Sequence, residues 1–265
     1  MIPPVPSIDR RRLLGRVLPA AAATLLTGTA AACAGTGSSP RAAEPLLALV
    51  YRGPAACDGC AEAVAAVLKK APRPFTVAYV GPDEDVPLTA AGLADADVYA
   101  QPGGNDDLGG TWTKLRGAAG AIRDWTRAGG RYLGFCMGGY LADKDPGFGL
   151  LPGDTDQYIT SPRASVHDAT DTLVPVTWKG KRRHMYFQDG PYFVPAGGAD
   201  VSVLARYDNG TAAAVVAPYG KGRVGVVGPH PEADASWYSD AGLRNPDGVR
   251  LDLGHDLIQE TVKGL

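Results

Sequence analysis

Cys136 lies in Gly134-Phe135-Cys136-Met137-Gly138-Gly139, after an apolar stretch and before small residues. Glycine two places before and two places after a nucleophile suits a tight strand-to-helix turn, where a Cβ at either position would collide with the turn. This is the cysteine counterpart of the Gly-x-Ser-x-Gly elbow. At the start of the following helix, the backbone dipole favours the thiolate, the form of cysteine that attacks a carbonyl carbon. Far along the chain, Gly228-Pro229-His230-Pro231-Glu232 follows the apolar run Val224–Val227. At a strand end the period of two puts His230 and Glu232 on one side, so an imidazole and its orienting carboxylate can face the thiol together. Those three side chains are the parts of nucleophilic acyl transfer.

Cys57-Asp58-Gly59-Cys60 is a second sulfur motif, and two readings of it stay open. In an oxidising compartment the pair forms a local disulfide that stiffens a loop. A C-x-x-C between a strand and a helix is also how a thioredoxin-like redox site begins. Zinc is not expected, because a structural site needs four ligands and the chain has no second C-x-x-C or H-x-x-H. No metal and no cofactor is called for.

The elements that must carry these residues alternate. Leu46–Tyr51 is an apolar run suited to a strand buried on both faces, and Ala61–Lys70 is helical, with Val64, Val67 and Leu68 on one side. Phe75–Val80, Asp97–Ala100 and Arg131–Phe135 read as further strands, and Thr113–Ala128 as a helix ended by Gly129-Gly130. This pattern predicts an α/β fold with an open, mostly parallel, flavodoxin-like sheet and helices on both faces. Its sites belong at the carboxyl ends of the strands. After Gly153 the spacing shortens to strands at Leu173–Trp178, His184–Phe187, Val201–Tyr207, Ala212–Ala217 and Arg223–Val227, with Asn209-Gly210 as a hairpin signal. The second half is therefore expected to be more antiparallel, closing with a helix over Gly248–Val262. Residues 45–265 read as one domain.

Composition narrows the function. The 265 residues are 45% hydrophobic and 20% charged, which excludes disorder throughout, and the net charge of −2 without a long basic run makes a nucleic-acid partner unexpected. Residues 1–32 join a basic start, Arg10-Arg11-Arg12 and Arg16, to the apolar stretch Val17–Ala32, which is the layout of an export signal. Paired arginines before Leu13-Leu14 resemble a twin-arginine signal, and Sec export stays open. Ala30-Ala31-Ala32-Cys33 resembles a lipobox, in which Cys33 receives lipid; simple cleavage near Ala32 is the alternative. Residues 33–44 then serve as a flexible tether. The mature protein is expected outside the cytoplasm, held to the membrane through a lipid anchor only, or secreted without one.

Taken together, LALVYRGP at 47–54, the Gln101-Pro102-Gly103-Gly104 turn, GGRYLGFCMGGY at 129–140, YFQDGPYF at 186–193 and GKGRVGVVGPHPE at 220–232 carry a resemblance. The chain resembles the class I glutamine amidotransferase-like superfamily, specifically the family named for the N-terminal domain of eukaryotic biotin-protein ligase. The resemblance implies Cys136 as nucleophile, His230 as general base and Glu232 as the carboxylate that fixes the imidazole tautomer. It also implies backbone N–H groups of Gly104 and Met137 as an oxyanion hole. Tyr140, Gln188, Asp189 and Tyr192 are candidate substrate contacts, the last three in a loop cluster with Tyr186. Asn105-Asp106-Asp107 reads as a solvated turn.

Two departures shape the expected function. Tyr140 stands four residues after the nucleophile, where glutamine amidotransferases carry Gln, which argues against a glutamine pocket. No biotin-ligase catalytic segment is present, since Gly220-Lys221-Gly222-Arg223 fits the turn before the last strand, so biotinylation is not expected. The leading expectation is a hydrolase forming a covalent thioester with a small-molecule or peptide amide or ester. A non-catalytic small-molecule-binding module and a thiol-disulfide protein working through Cys57 and Cys60 remain as alternatives, and no protein partner is indicated.

Overall fold

The computed structural model describes residues 44–265; the export signal at 1–32, the lipidation candidate Cys33 and the tether up to residue 43 lie outside the described residues. The first half runs β1 (Leu46–Tyr51), α1 (Cys60–Lys69), β2 (Phe75–Val80), α2 (Ala90–Leu93), β3 (Val98–Gln101), α3 (Leu108–Leu115), α4 (Ala119–Ala128), β4 (Arg131–Phe135) and α5 (Met137–Tyr140). The second half runs β5 (Gly153–Gln157), β6 (Thr172–Trp178), β7 (Lys181–Phe187), β8 (Pro191–Pro195), β9 (Ser202–Tyr207), β10 (Ala212–Tyr219), β11 (Gly222–Val227), α6 (Ala235–Asp240) and α7 (Asp252–Thr261).

The strands form one sheet in the order β2-β1-β3-β4-β11-β10-β9-β6-β7, with β5 and β8 paired beside β10. β2, β1, β3, β4 and β11 are parallel neighbours, and the sheet turns antiparallel at the β11–β10 pair. The expected mostly parallel sheet with an antiparallel second half is therefore what the chain forms.

Alternation along buried strands divides the core into two. Ala48, Val50, Leu133, Phe135 and Val227 face α1 and α7, where Val64, Leu68, Leu257 and Ile258 pack. Leu49, Tyr51, Tyr99, Tyr132 and Val226 face Leu115, Ala119 and Ile122 of α3 and α4. Each such aliphatic side chain taken fully from water contributes about 1.5–3 kcal/mol, so both layers of helix are held by burial rather than by helix propensity.

Three sequence expectations need correcting. The helix read over Thr113–Ala128 is two, because Gly117 sits in a single 3₁₀ turn between α3 and α4 and glycine weakens a helix interior. α3 also starts earlier, at Leu108, since Asp107 caps it by accepting the Gly110 N–H at 2.8 Å; the Asn105–Asp107 turn is thus a helix entry. The final helix starts at Asp252 rather than Gly248, whose φ of +76° is incompatible with a right-handed helix. β5 and β8 escaped prediction because Gly153–Gln157 has no apolar alternation and β8 is bounded by Pro191 and Pro195, which strands tolerate only at edges.

Candidate active site

The carboxyl ends of β1, β3, β4 and β11 open on the same edge of the sheet, and the sequence places a chemical group just beyond each. These are the Cys57–Cys60 loop, Gly103-Gly104, Cys136, and His230 with Glu232. Cys136 caps the single turn of α5 with φ +48° and ψ −106°. A non-glycine residue there costs about 1–3 kcal/mol and persists only where its surroundings enforce it. They do so here: its N–H donates to Val227 O at 2.9 Å, and its carbonyl accepts the Gly139 and Tyr140 N–H groups at 2.7 and 3.2 Å. The glycine spacing has its expected cause. A Cβ on Gly134 would lie 2.3 Å from Gly138 O, and one on Gly138 would lie 2.2 Å from Gln101 O. The Tyr132 hydroxyl donates to Gly138 O at 2.7 Å and ties the elbow to β4. Because α5 is only four residues long, its dipole is smaller than the sequence suggested.

Cys136 is the free cysteine among the described residues, 7% exposed, with Sγ 3.7 Å from Gln188 O. His230 and Glu232 are 4% and 1% exposed, and His230 Nδ1 lies 2.8 Å from Glu232 Oε1. The histidine is not on a strand proper. It forms one isolated bridge beyond β11, donating its N–H to Tyr186 O at 2.9 Å. Pro229 and Pro231 flank it and stiffen this segment. Nε2 is buried and has no hydrogen-bond partner of its own. Burial by itself would lower the imidazole pKa, but the charge of Glu232, hydrogen-bonded at Nδ1, and then that of the nearby Cys136 outweigh it and push the value up to about 10. The Glu232 carboxylate and the Cys136 sulfur together favour the charged form of this buried imidazole.

The oxyanion-hole candidates also meet. Gly104 approaches Met137 so closely that a Cβ on it would sit 2.8 Å from Met137 Cγ. Met137 opens α5, so its N–H has no partner within that helix. Cys57 and Cys60 form a disulfide, which both readings of the motif allow. It packs on the same glycine turn: a Cβ on Gly103 would be 3.5 Å from each sulfur and 3.2 Å from His230 Cε1.

Beside Cys136 opens a cavity of about 780 Å³. Gly104, Met137, Tyr140, Gln188, Asp189 and Cys57 all line it. The Tyr140 hydroxyl donates to Asp189 O at 3.2 Å, and Gln157 Nε2 donates to Asp189 Oδ2 at 2.7 Å. Burial, opposed by the Gln157 hydrogen bond and reinforced by Asp106, pushes the Asp189 carboxyl above its usual pKa. Asp106, Asp143, Asp145 and Asp156 also face this space, and no basic side chain lines it among the described residues. Tyr192 is not among the lining residues: it stands on β8, its hydroxyl donating to Asp156 Oδ2 at 3.2 Å. Tyr186 likewise belongs to β7 rather than to a loop and packs edge-on to the His230 ring.

Sequence reasoning missed Trp237, which sits on α6 with its ring centroid 5.2 Å from that of His230. With Tyr186, it encloses the imidazole in aromatic walls, a setting that suits a protonated ring. Only its position five residues after Glu232 could have signalled it. Gln101, at the end of β3, was noted only as part of a turn. It is fully buried, accepts from the Tyr99 hydroxyl at 2.7 Å and donates to Ala55 O at 3.4 Å, joining the cysteine loop to the sheet. Among the described residues no group of His, Cys, Asp and Glu is arranged to hold a metal ion.

Comparison with known proteins agrees with the fold. The structure of PurLQS from Thermotoga maritima superposes with a TM-score of 0.56 at 20% identity, covering 83% of this chain and 98% of that one. A glutamine amido transferase from Methylobacillus flagellatus matches at a TM-score of 0.45 and 19% identity, over 74% of this chain and 73% of that one. No curated protein matches the chain. Residues 46–166 and 159–252 match the family described as biotin-protein ligase, N terminal. The chain belongs to that family, on a class I glutamine amidotransferase-like fold.

Proposed function

We propose that the protein is a cysteine-nucleophile hydrolase that cleaves an amide or ester through a thioester on Cys136. The observation that carries this reading is Cys136 held on a strained elbow beside a buried imidazole whose other nitrogen is taken by Glu232. With the proton on His230, the Cys136 sulfur supplies the electron pair that attacks the carbonyl carbon. The carbonyl oxygen becomes an oxyanion between the Gly104 and Met137 N–H groups, each such donor being worth about 10²–10³ in rate. His230 gives its proton to the departing nitrogen or oxygen as the carbon–heteroatom bond breaks. Water then attacks the thioester, His230 takes its proton, and the Cys136 sulfur leaves.

Tyr140 and the carboxylates of the cavity argue against glutamine and against anionic substrates. Export and lipidation at Cys33 are part of the proposal; the Cys57–Cys60 disulfide supports an oxidising compartment. Iodoacetamide labelling at pH 6 tests the site. Cys136 should alkylate faster than a free thiol and slow sharply in His230→Ala. Equal rates in the two proteins would leave a binding module without the catalytic pair.

A further inference from the structure

The proposed chemistry makes no direct use of the Cys57–Cys60 disulfide, yet the disulfide is built into the turn that carries one oxyanion donor. The Cys57 N–H donates to Gly103 O at 3.0 Å. In a trans peptide the carbonyl and the following N–H point in opposite directions. Fixing Gly103 O on Cys57 therefore fixes the Gly104 N–H on the opposite side of that peptide, and Gly104 itself packs against Met137. Gly103 lacks a side chain where both sulfurs and the His230 ring converge, so the disulfide backs the peptide and the imidazole together. The loop is anchored on either side, by Gln101 donating to Ala55 O and by Cys60 opening α1.

The two sulfurs are unequal. Cys60 is 1% exposed, whereas Cys57 is partly exposed and lines the cavity. An outside thiolate can reach Cys57, and the Cys60 sulfur would leave into the first turn of the ten-residue α1, where the helix dipole favours an anion.

We propose that the Cys57–Cys60 disulfide is a redox latch on the oxyanion hole: closed, it aligns the Gly104 N–H for acyl transfer; opened by a dithiol reductant, it releases that donor. Cys57 and Cys60 are thus positioning residues, and the proposal rests on the thioester reading. In the opening step a thiolate of the dithiol attacks Cys57 Sγ, the S–S bond breaks and Cys60 leaves as thiolate. The second thiol of the reductant then attacks the mixed disulfide and frees Cys57. Two electrons pass to the cysteine pair, which ends with two protons, and the reductant ends as a disulfide.

Two reagents separate this role from simple stiffening. Iodoacetamide alkylates a sulfur without an oxyanion and reports only access and reactivity; p-nitrophenyl acetate acylates through a tetrahedral oxyanion and needs the hole. Both are read on the Cys136 peptide by mass mapping, so that thiols at 57 and 60 do not count. They are applied to oxidised wild type, to wild type equilibrated with reduced dithiothreitol, and to the Cys57→Ser/Cys60→Ser double variant. Opening the latch should slow acetylation of Cys136 roughly 10- to 100-fold, short of or equal to loss of one donor, while alkylation changes less than about twofold. Reoxidation of the wild type should restore acetylation. Unchanged acetylation would overturn the latch alone, and a parallel fall in both reactions would mean that the disulfide merely holds the site folded. No acetylation of oxidised wild type would remove the thioester reading, and the latch with it.

Discussion

Replacing Glu232 with Gln preserves the shape of the side chain and an acceptor for the His230 Nδ1–H, but deletes one buried charge. The consequence can be worked from the structure. Burial is the strongest influence on His230 and acts downward, while Glu232 is the foremost of the groups that raise the imidazole from 6.5 to about 10. At about 1.4 kcal/mol per pH unit, that rise corresponds to about 5 kcal/mol favouring the protonated ring in the folded state. This is comparable with the roughly 3–5 kcal/mol lost when one member of a buried ion pair is removed. Without the carboxylate, burial is opposed by the Cys136 sulfur alone, and the imidazole pKa should fall. The sign follows from linkage: a group whose pKa is raised on folding stabilises fully below its unfolded value, here 6.5, and that contribution disappears as pH climbs through about 10. Urea unfolding at a series of pH values should therefore show wild type more stable than Glu232→Gln by a few kcal/mol at pH 6, with the gap closing towards pH 10. An NMR titration of the His230 ring should show it charged at pH 7 and losing its proton towards pH 10 in wild type, with a lower pKa in the variant. A gap independent of pH, or an unchanged titration of His230 in the variant, would show that Glu232 does not set the charge on the imidazole.

Other perturbations probe separate parts of the site. Gly138→Ala places a Cβ 2.2 Å from Gln101 O, a backbone atom that cannot swing away, so thermal unfolding should reveal a loss of about 2–4 kcal/mol and alkylation of Cys136 should change with it. Gly104→Ala brings a Cβ 2.8 Å from Met137 Cγ, 3.1 Å from Met137 Cβ and 3.4 Å from Ala55 O, so stability should fall by about 1–3 kcal/mol while acetylation of Cys136 by p-nitrophenyl acetate drops at least tenfold. Trp237→Leu removes an aromatic wall from His230 and should lower the upper pKa of the acetylation pH profile without abolishing the reaction. Cys33→Ser should move the exported protein from membrane to soluble fraction; an unchanged distribution would exclude the lipid anchor.

Most of the parallel half of the sheet was readable because β1, β3, β4 and β11 are buried on both faces and are largely apolar. Leu46–Tyr51 and Arg131–Phe135 match β1 and β4 residue for residue. The elbow was readable for a steric reason: glycine at 134 and 138 is dictated by backbone atoms 2.3 and 2.2 Å from where a Cβ would stand. Partnerships that depend on the tertiary path were not. Nothing local shows that the disulfide and the imidazole both pack on Gly103, that Tyr186 pairs with His230, or that Trp237 lies beside it. The Tyr192 side chain was misplaced because β8 has no apolar alternation to mark it as a strand, so its direction could not be inferred.

The proposed function stands on the Cys136 sulfur and the His230 imidazole acting as a pair on a carbonyl carbon. Mixing oxidised protein with p-nitrophenyl acetate and quenching in acid at short times measures this directly. A stoichiometric burst of p-nitrophenol is expected, with the acetyl group on the Cys136 peptide, absent in Cys136→Ala and far slower in His230→Ala. An acetyl group found elsewhere, or on Cys136 at the same rate without the imidazole, would contradict it.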